Sequence, residues 1–219
     1  MNRNALRMGK QMKDLYIIGC GGFGREVTWL VNRINNINPT WNLLGFIDDN
    51  PSLIGDVYGE VEVVGDVEYL TNNLKDAYVI CAIANSKIRK EIVKELGDVK
   101  YATLVDPSVI LAESTIIKEG SIVCPGSVIS VDCCIGSHVH INWNSTIGHD
   151  TVIKDFVTLY PSVNVSGNVY IQDCVEIGAG SQLNQGISIG INSIIGSGSV
   201  IIRNVKKDVT VVGVPGREI

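Results

Sequence analysis

The sequence contains no unbroken apolar run of the roughly 18 residues a bilayer-spanning helix needs, so no segment reads as transmembrane. Basic residues are fewer than acidic ones, 18 against 23, and form no stripe, which argues against nucleic acid as the main partner. Charged residues make up only 19% and hydrophobic ones 45%, a balance that excludes a disordered chain of 219 residues. The six cysteines (Cys20, Cys81, Cys124, Cys133, Cys134 and Cys174) show no CxxC spacing. They read as buried small hydrophobes of a reduced, cytoplasmic protein. Adjacent Cys133 and Cys134 face opposite ways on a strand, so they do not converge with His138 and His140, and no metal is expected. The basic opening, residues 1–13, is followed by no apolar stretch that would make it a secretory signal, and reads as a flexible lead-in.

What is present divides near residue 104. In residues 14–104 the apolar run Leu15–Ile18 leads into Gly19-Cys20-Gly21-Gly22-Phe23-Gly24, and the residues from Arg25 to about Asn35 carry a helical apolar spacing. Leu43–Ile47 reads as a strand ending at the turn Asp48-Asp49-Asn50-Pro51. Tyr78–Ala82 is a further strand, closed by Ala84-Asn85 before the amphipathic helix Lys87–Leu96. This order implies an α/β domain with a small parallel sheet and helices on its faces. Gly19–Gly24 has the G-x-G-x-x-G form between a strand and a helix, where small residues let backbone N–H groups approach phosphate. Asp48 lies about where a ribose- or base-binding acid falls. A head of about 90 residues lacks the second half of a dinucleotide fold, which disfavours an oxidoreductase.

From residue 105 the pattern is a repeat. Every sixth residue from Val105 to Ile201 is Ile, Leu or Val, and four places after each stands a small or β-branched residue, Ile187 being the only large one. A period of six cannot be an α-helix. It fits short parallel strands, three per coil, joined by tight corners where Gly, Asn or Asp supply positive φ or local hydrogen bonds. The prism covers 105–205, and 206–219 is an irregular tail. Midway along it, Ile147-Gly148-His149-Asp150 places one of only three histidines directly before a carboxylate. Imidazole suits proton removal near neutral pH, and a carboxylate on its other nitrogen fixes the tautomer. A solvated corner histidine is the alternative.

The hexad prism resembles the left-handed parallel β-helix of hexapeptide-repeat acyltransferases. Together with the Gly-rich head, over about 15–219, it resembles bacterial sugar acyltransferases of the NeuD/PglD type. Asn142 and the stretch Ser166-Gly167-Asn168-Val169 match family positions, and Val212–Gly216 matches its GVPA-like ending, with Gly216 in place of Ala. The resemblance implies transfer of an acetyl group from acetyl-CoA to the amino group of a UDP-linked or other nucleotide-linked sugar. His149 would be the base and Asp150 its polarising partner. It implies that Gly21, Gly22, Phe23, Asp48, Asp49, Ala84, Asn85 and Asn142 hold the sugar nucleotide. Thr158, Ala179 and Ser197 would face the cofactor, in a groove between subunits of a homotrimer. Phe23 and Thr158 each stand where many or some members carry His. His138 and His140 have no family counterpart and are expected at the surface or at a subunit contact. O-acetylation of sialic acid or a polysaccharide sugar fits the same base, and a non-catalytic sugar-binding or assembly module is a further alternative.

Overall fold

The computed structural model describes residues 11–219. Most of the expected lead-in, residues 1–10, lies outside the described residues, while Lys13 already belongs to the first strand and pairs with Trp41. The head runs β1 (Lys13–Ile18), α1 (Gly22–Ile37), β2 (Trp41–Ile47), β3 (Val57–Tyr58), β4 (Val61–Gly65), α2 (Val67–Asn73), β5 (Tyr78–Cys81), α3 (Ser86–Leu96) and β6 (Lys100–Tyr101). Its sheet has the order β3-β4-β2-β1-β5-β6, parallel except for the β3–β4 hairpin. The hairpin, α2 and β6 were not expected. Their strands are only two to five residues long, too short to show an alternation. β1 is central because both of its faces are buried: Leu15 and Ile17 pack under α1, and Tyr16 and Ile18 pack on the opposite layer.

From Leu104 the chain forms two-residue strands that stack parallel into three flat faces. The first face includes Ile122–Val123, His140–Ile141, Thr158–Leu159, Glu176–Ile177 and Ile194–Ile195. The second runs through Thr146–Ile147 and Asn164–Val165, the third through Cys134–Ile135 and Val152–Ile153. The inward residue of each pair is the hexad aliphatic, and from Val123 through Ile201 these form one continuous buried core with the small residues between them. Every sixth residue from Gly120 to Gly198 has positive φ, so the corners are what fixes the period. Most of these positions hold Gly, Asn, Asp or Ser, which adopt that conformation readily.

Three exceptions, His138 (φ 56°), Phe156 (φ 60°) and Cys174 (φ 55°), stack on successive coils at the corner between the third and first faces. Such residues persist there only when their contacts over-determine them. Here the contacts come from the head, which docks α1 and α3 against the first face. His138 stacks on Phe156 with centroids 5.0 Å apart and meets the edge of Tyr101. Ser86, at the start of α3, donates to the Cys174 carbonyl and to Glu176. Toward the opposite corner, Trp29 of α1 stacks on Trp143 at 5.2 Å, and Arg33 grips Asp106 through two nitrogens. The tail is more regular than its sequence pattern suggested. Thr210–Val212 adds to the first face beside Ile194–Ile195 and pairs with Arg217–Glu218, covering inward aliphatics that no further hexad would cover.

Candidate active site

His149 and Asp150 occupy the corner between the second and third faces. Asp150 has φ 56°, and this left-handed turn swings its carboxylate beside the preceding side chain: His149 Nδ1 lies 2.7 Å from Asp150 Oδ2. Both side chains are about half exposed, 51% and 60%, so the pair is open to a reactant. A carboxylate only accepts, so Nδ1 carries the proton in this contact and Nε2 presents its lone pair. The ring lies over the corner of the next coil, where Gly167 stands. A Cβ there would fall 2.5 Å from Nε2, and one on Gly148 would fall 2.5 Å from Gly167 N. Gly167 therefore makes the room that the imidazole occupies, and Gly148 lets the backbone of that neighbouring coil come close.

In the head, the four glycines of the loop divide by what surrounds them. Gly19 (φ 92°) turns the chain, and a Cβ on Gly24 would sit 1.9 Å from the Gly19 carbonyl oxygen, so both are demanded by packing. Gly21 and Gly22 are exposed, and a Cβ on either would meet no protein atom within 4 Å. Gly21 caps α1 without a side-chain hydrogen bond, and the first turn of α1 has no acid. No side-chain cap and no acid of the first turn thus covers the amides of this helix start. Asp48 does not stand free: Oδ2 accepts from Cys20 N–H at 3.1 Å and from the Cys20 thiol at 3.2 Å, and Oδ1 accepts from Asn50 N–H. Asp49 is exposed and accepts from Val67 N–H at the start of α2. The Asn85 side-chain oxygen caps α3, accepting from Lys87 and Ile88 N–H. Phe23 is half-buried with its ring 5.1 Å from that of His140, so it packs the head onto the prism.

Several expected placements are corrected. His138 and His140 are not on the surface: they are 4% and 0% exposed, enclosed between head and prism. Thr158 does not face a groove. It is fully buried, donating to the Ala84 carbonyl and accepting from Arg89 Nη2. Asn142 is 6% exposed, and its amide donates to the Leu159 carbonyl. Arg89, absent from the sequence reading, sits at the centre of this seam. Though 0% exposed, it donates to the carbonyls of His138, Ile83, Ala84, Phe156 and Val157 as well as to Thr158. Burial lowers its pKa to about 10. In sequence it is one basic residue of an amphipathic helix, indistinguishable from Lys87 or Lys90 without the prism beside it. Ala179 and Ser197 do stack on one corner, where Gly198 N–H donates to the Ala179 carbonyl, but that corner joins the first and second faces. Within one chain, then, the head and the Ala179–Ser197 ridge adjoin the first face, while His149 lies on the corner opposite it.

A family model described as the PglD N-terminal domain matches residues 14–96. Over 214 residues the chain is 34% identical to GDP-perosamine N-acetyltransferase of Escherichia coli O157:H7, covering 94% of this chain and 96% of that one. The chain belongs to the NeuD/PglD-type sugar acetyltransferases. The acetyltransferase domain of PglB from Neisseria gonorrhoeae FA1090, solved with acetyl coenzyme A, matches with TM-score 0.85 and 26% identity, covering 95% of this chain and all of that one. PerB from Caulobacter crescentus, solved with CoA and GDP-perosamine, has the same fold at TM-score 0.87 and 24% identity, covering 95% and 98%. The three-faced prism of this sugar acetyltransferase is accordingly the left-handed parallel β-helix that the family resemblance implied. No helix among the described residues is long and apolar enough to cross a membrane.

Proposed function

We propose that the protein is a cytoplasmic, homotrimeric acetyltransferase that moves the acetyl group of acetyl-CoA to the amino group of a nucleotide-linked amino sugar. The observation that carries this reading is the His149–Asp150 pair, open to solvent and given room by Gly167. An amine attacks a thioester only through its lone pair and must shed a proton as the new C–N bond forms. His149 Nε2 takes that proton, Asp150 stabilises the imidazolium through Nδ1–H, and the proton then passes to the departing CoA sulfur. The full-length relative is named for N-acetylation, which favours an amine over a hydroxyl acceptor.

The exposed amides at Gly21 and Gly22 suit a diphosphate, and Ala179 with Ser197 offers backbone along a ridge that suits the pantetheine arm. Gly21 and Gly22 lie with the head on the first face, opposite the His149 corner, and the ridge stands one prism face away from that corner. A site that joins them needs His149 from a second copy, which supports a cyclic trimer with its sites between subunits. The deciding experiment is CoA-thiol release from acetyl-CoA against UDP- and GDP-linked amino sugars, free amino sugars and sialic acids. Release with a nucleotide-linked amino sugar alone is expected; release with only sialic acid would replace this reading by O-acetylation, and release with only a free amino sugar would remove the nucleotide from it. Light scattering tests the assembly, and an active monomer would refute shared sites. Co-expressed His149→Ala and Gly22→Val chains should together recover activity that neither has alone.

A further inference from the structure

Asp48 occupies the place, after the second strand, where an acid commonly reads the ribose of a bound nucleotide. Its oxygens are otherwise engaged. Oδ2 accepts both the backbone N–H and the thiol of Cys20, and Oδ1 accepts Asn50 N–H. Cys20 is 3% exposed and directly precedes Gly21-Gly22, the two glycines whose openness no protein contact explains. Its neighbour Gly19 is held from the other side, donating to the Ile47 carbonyl, while Asp48 N–H donates to Gly65. The loop is thereby clamped at the residue before its exposed amides. Burial works against the Asp48 carboxylate, yet the Cys20 and Asn50 donors together hold its pKa below the ordinary value, so it is ionised at neutral pH. Burial and the Asp48 contact push the Cys20 thiol up to about 11, so the thiol keeps the proton it donates.

We infer that Asp48 is a positioning residue, which sets the phosphate loop through Cys20 and does not read the ribose. This rests on the reading that the head holds a nucleotide. A sulfur–carboxylate contact is a weak local bond. It matters here because the residue it fixes has no side chain after it to restrain Gly21 and Gly22, each of which explores far more backbone conformations than other residues. Holding Cys20 removes that freedom before the ligand arrives, so the diphosphate meets amides already aimed at it.

The test is calorimetric titration of the full-length protein with GDP, UDP and their 2′-deoxy forms, and separately with acetyl-CoA. Asp48→Asn and Cys20→Ala should each weaken the preferred nucleotide about three- to tenfold, as loss of one ordinary hydrogen bond does. The ribo and deoxyribo forms should weaken by the same factor. The double variant should be no weaker than Asp48→Asn, Cys20→Ser should retain most of the affinity, and acetyl-CoA affinity should be unchanged throughout. Weakening confined to the ribonucleotide would place Asp48 on the ribose and overturn the inference. So would additive effects of the two substitutions, or affinity untouched by either. If the unaltered protein binds neither GDP nor UDP, the nucleotide reading itself fails and this inference falls with it.

Discussion

Arg89 Nη1 lies 3.2 Å from His140 Nδ1, and His140 Nε2 lies 3.0 Å from the Cys81 carbonyl. A guanidinium can only donate and a carbonyl can only accept, so this buried imidazole is neutral, protonated on Nε2 and not on Nδ1. A ring thus fixed between a head strand and a buried cation works as a coupling between the two halves of the chain. It leaves His149 as the one histidine in the sequence that is exposed.

Acid should therefore loosen the seam. Burial first, and the Arg89 charge second, push His138 down to about 4 and His140 well below its usual value. Between pH 6.5 and 4 the unfolded chain binds protons at these positions and the native chain does not, so stability is complete above about pH 6.5 and falls as pH drops toward 4. For His138 alone the loss is on the order of 3 kcal/mol. Nδ1 of His138 is buried without a hydrogen-bond partner, so His138→Phe should fold and flatten the decline. Urea midpoints that stay level from pH 7 to 4.5 in the unaltered protein would contradict this.

Replacing Arg89 by Met should be severe. Five carbonyls, those of His138 and Val157 buried and the others partly so, lose a donor together, and the cost should exceed about 3 kcal/mol by urea denaturation. Thr158→Val is the milder probe of the same seam. Since Thr158 bonds to Ala84, it should raise KM for the sugar nucleotide several-fold and leave KM for acetyl-CoA unchanged. A rise in the acetyl-CoA KM alone would show that Thr158 serves the cofactor after all.

His149→Ala should lower kcat by about 10²- to 10⁴-fold with little change in stability, because proton transfer is the lost contribution. Asp150→Asn should cost less. Gly167→Ala should also depress kcat, since the added methyl would collide with the imidazole. Normal turnover in the His149→Ala protein would end the assignment.

The thiols should take no part in transfer. Five of the six cysteines are buried, and burial pushes Cys81 up to about 11 and Cys124 to about 12. Thiolate is the nucleophilic form, so acetyl transfer should be direct, through a ternary complex. Intersecting initial-rate lines would agree; parallel lines with a trapped acetyl-cysteine would not.

The sequence by itself determined the prism, its register, its inward aliphatics and its corners. That follows because each coil repeats a local rule, an inward aliphatic and a left-handed corner every six residues, which needs no distant partner to be read. His149 and Asp150 were legible for the same reason: they are adjacent, and one corner turn suffices to join them. The tertiary structure alone decided the fate of the residues at the seam. Arg89 meets His138 and Thr158 across 49 and 69 residues, and Asp48 meets Cys20 across 28. A buried arginine, a buried threonine and an engaged aspartate carry the same letters as exposed ones. Packing of the head on the first face took the arginine and the threonine out of water, folding of the head itself brought Asp48 to Cys20, and these contacts decided which polar groups each had to satisfy.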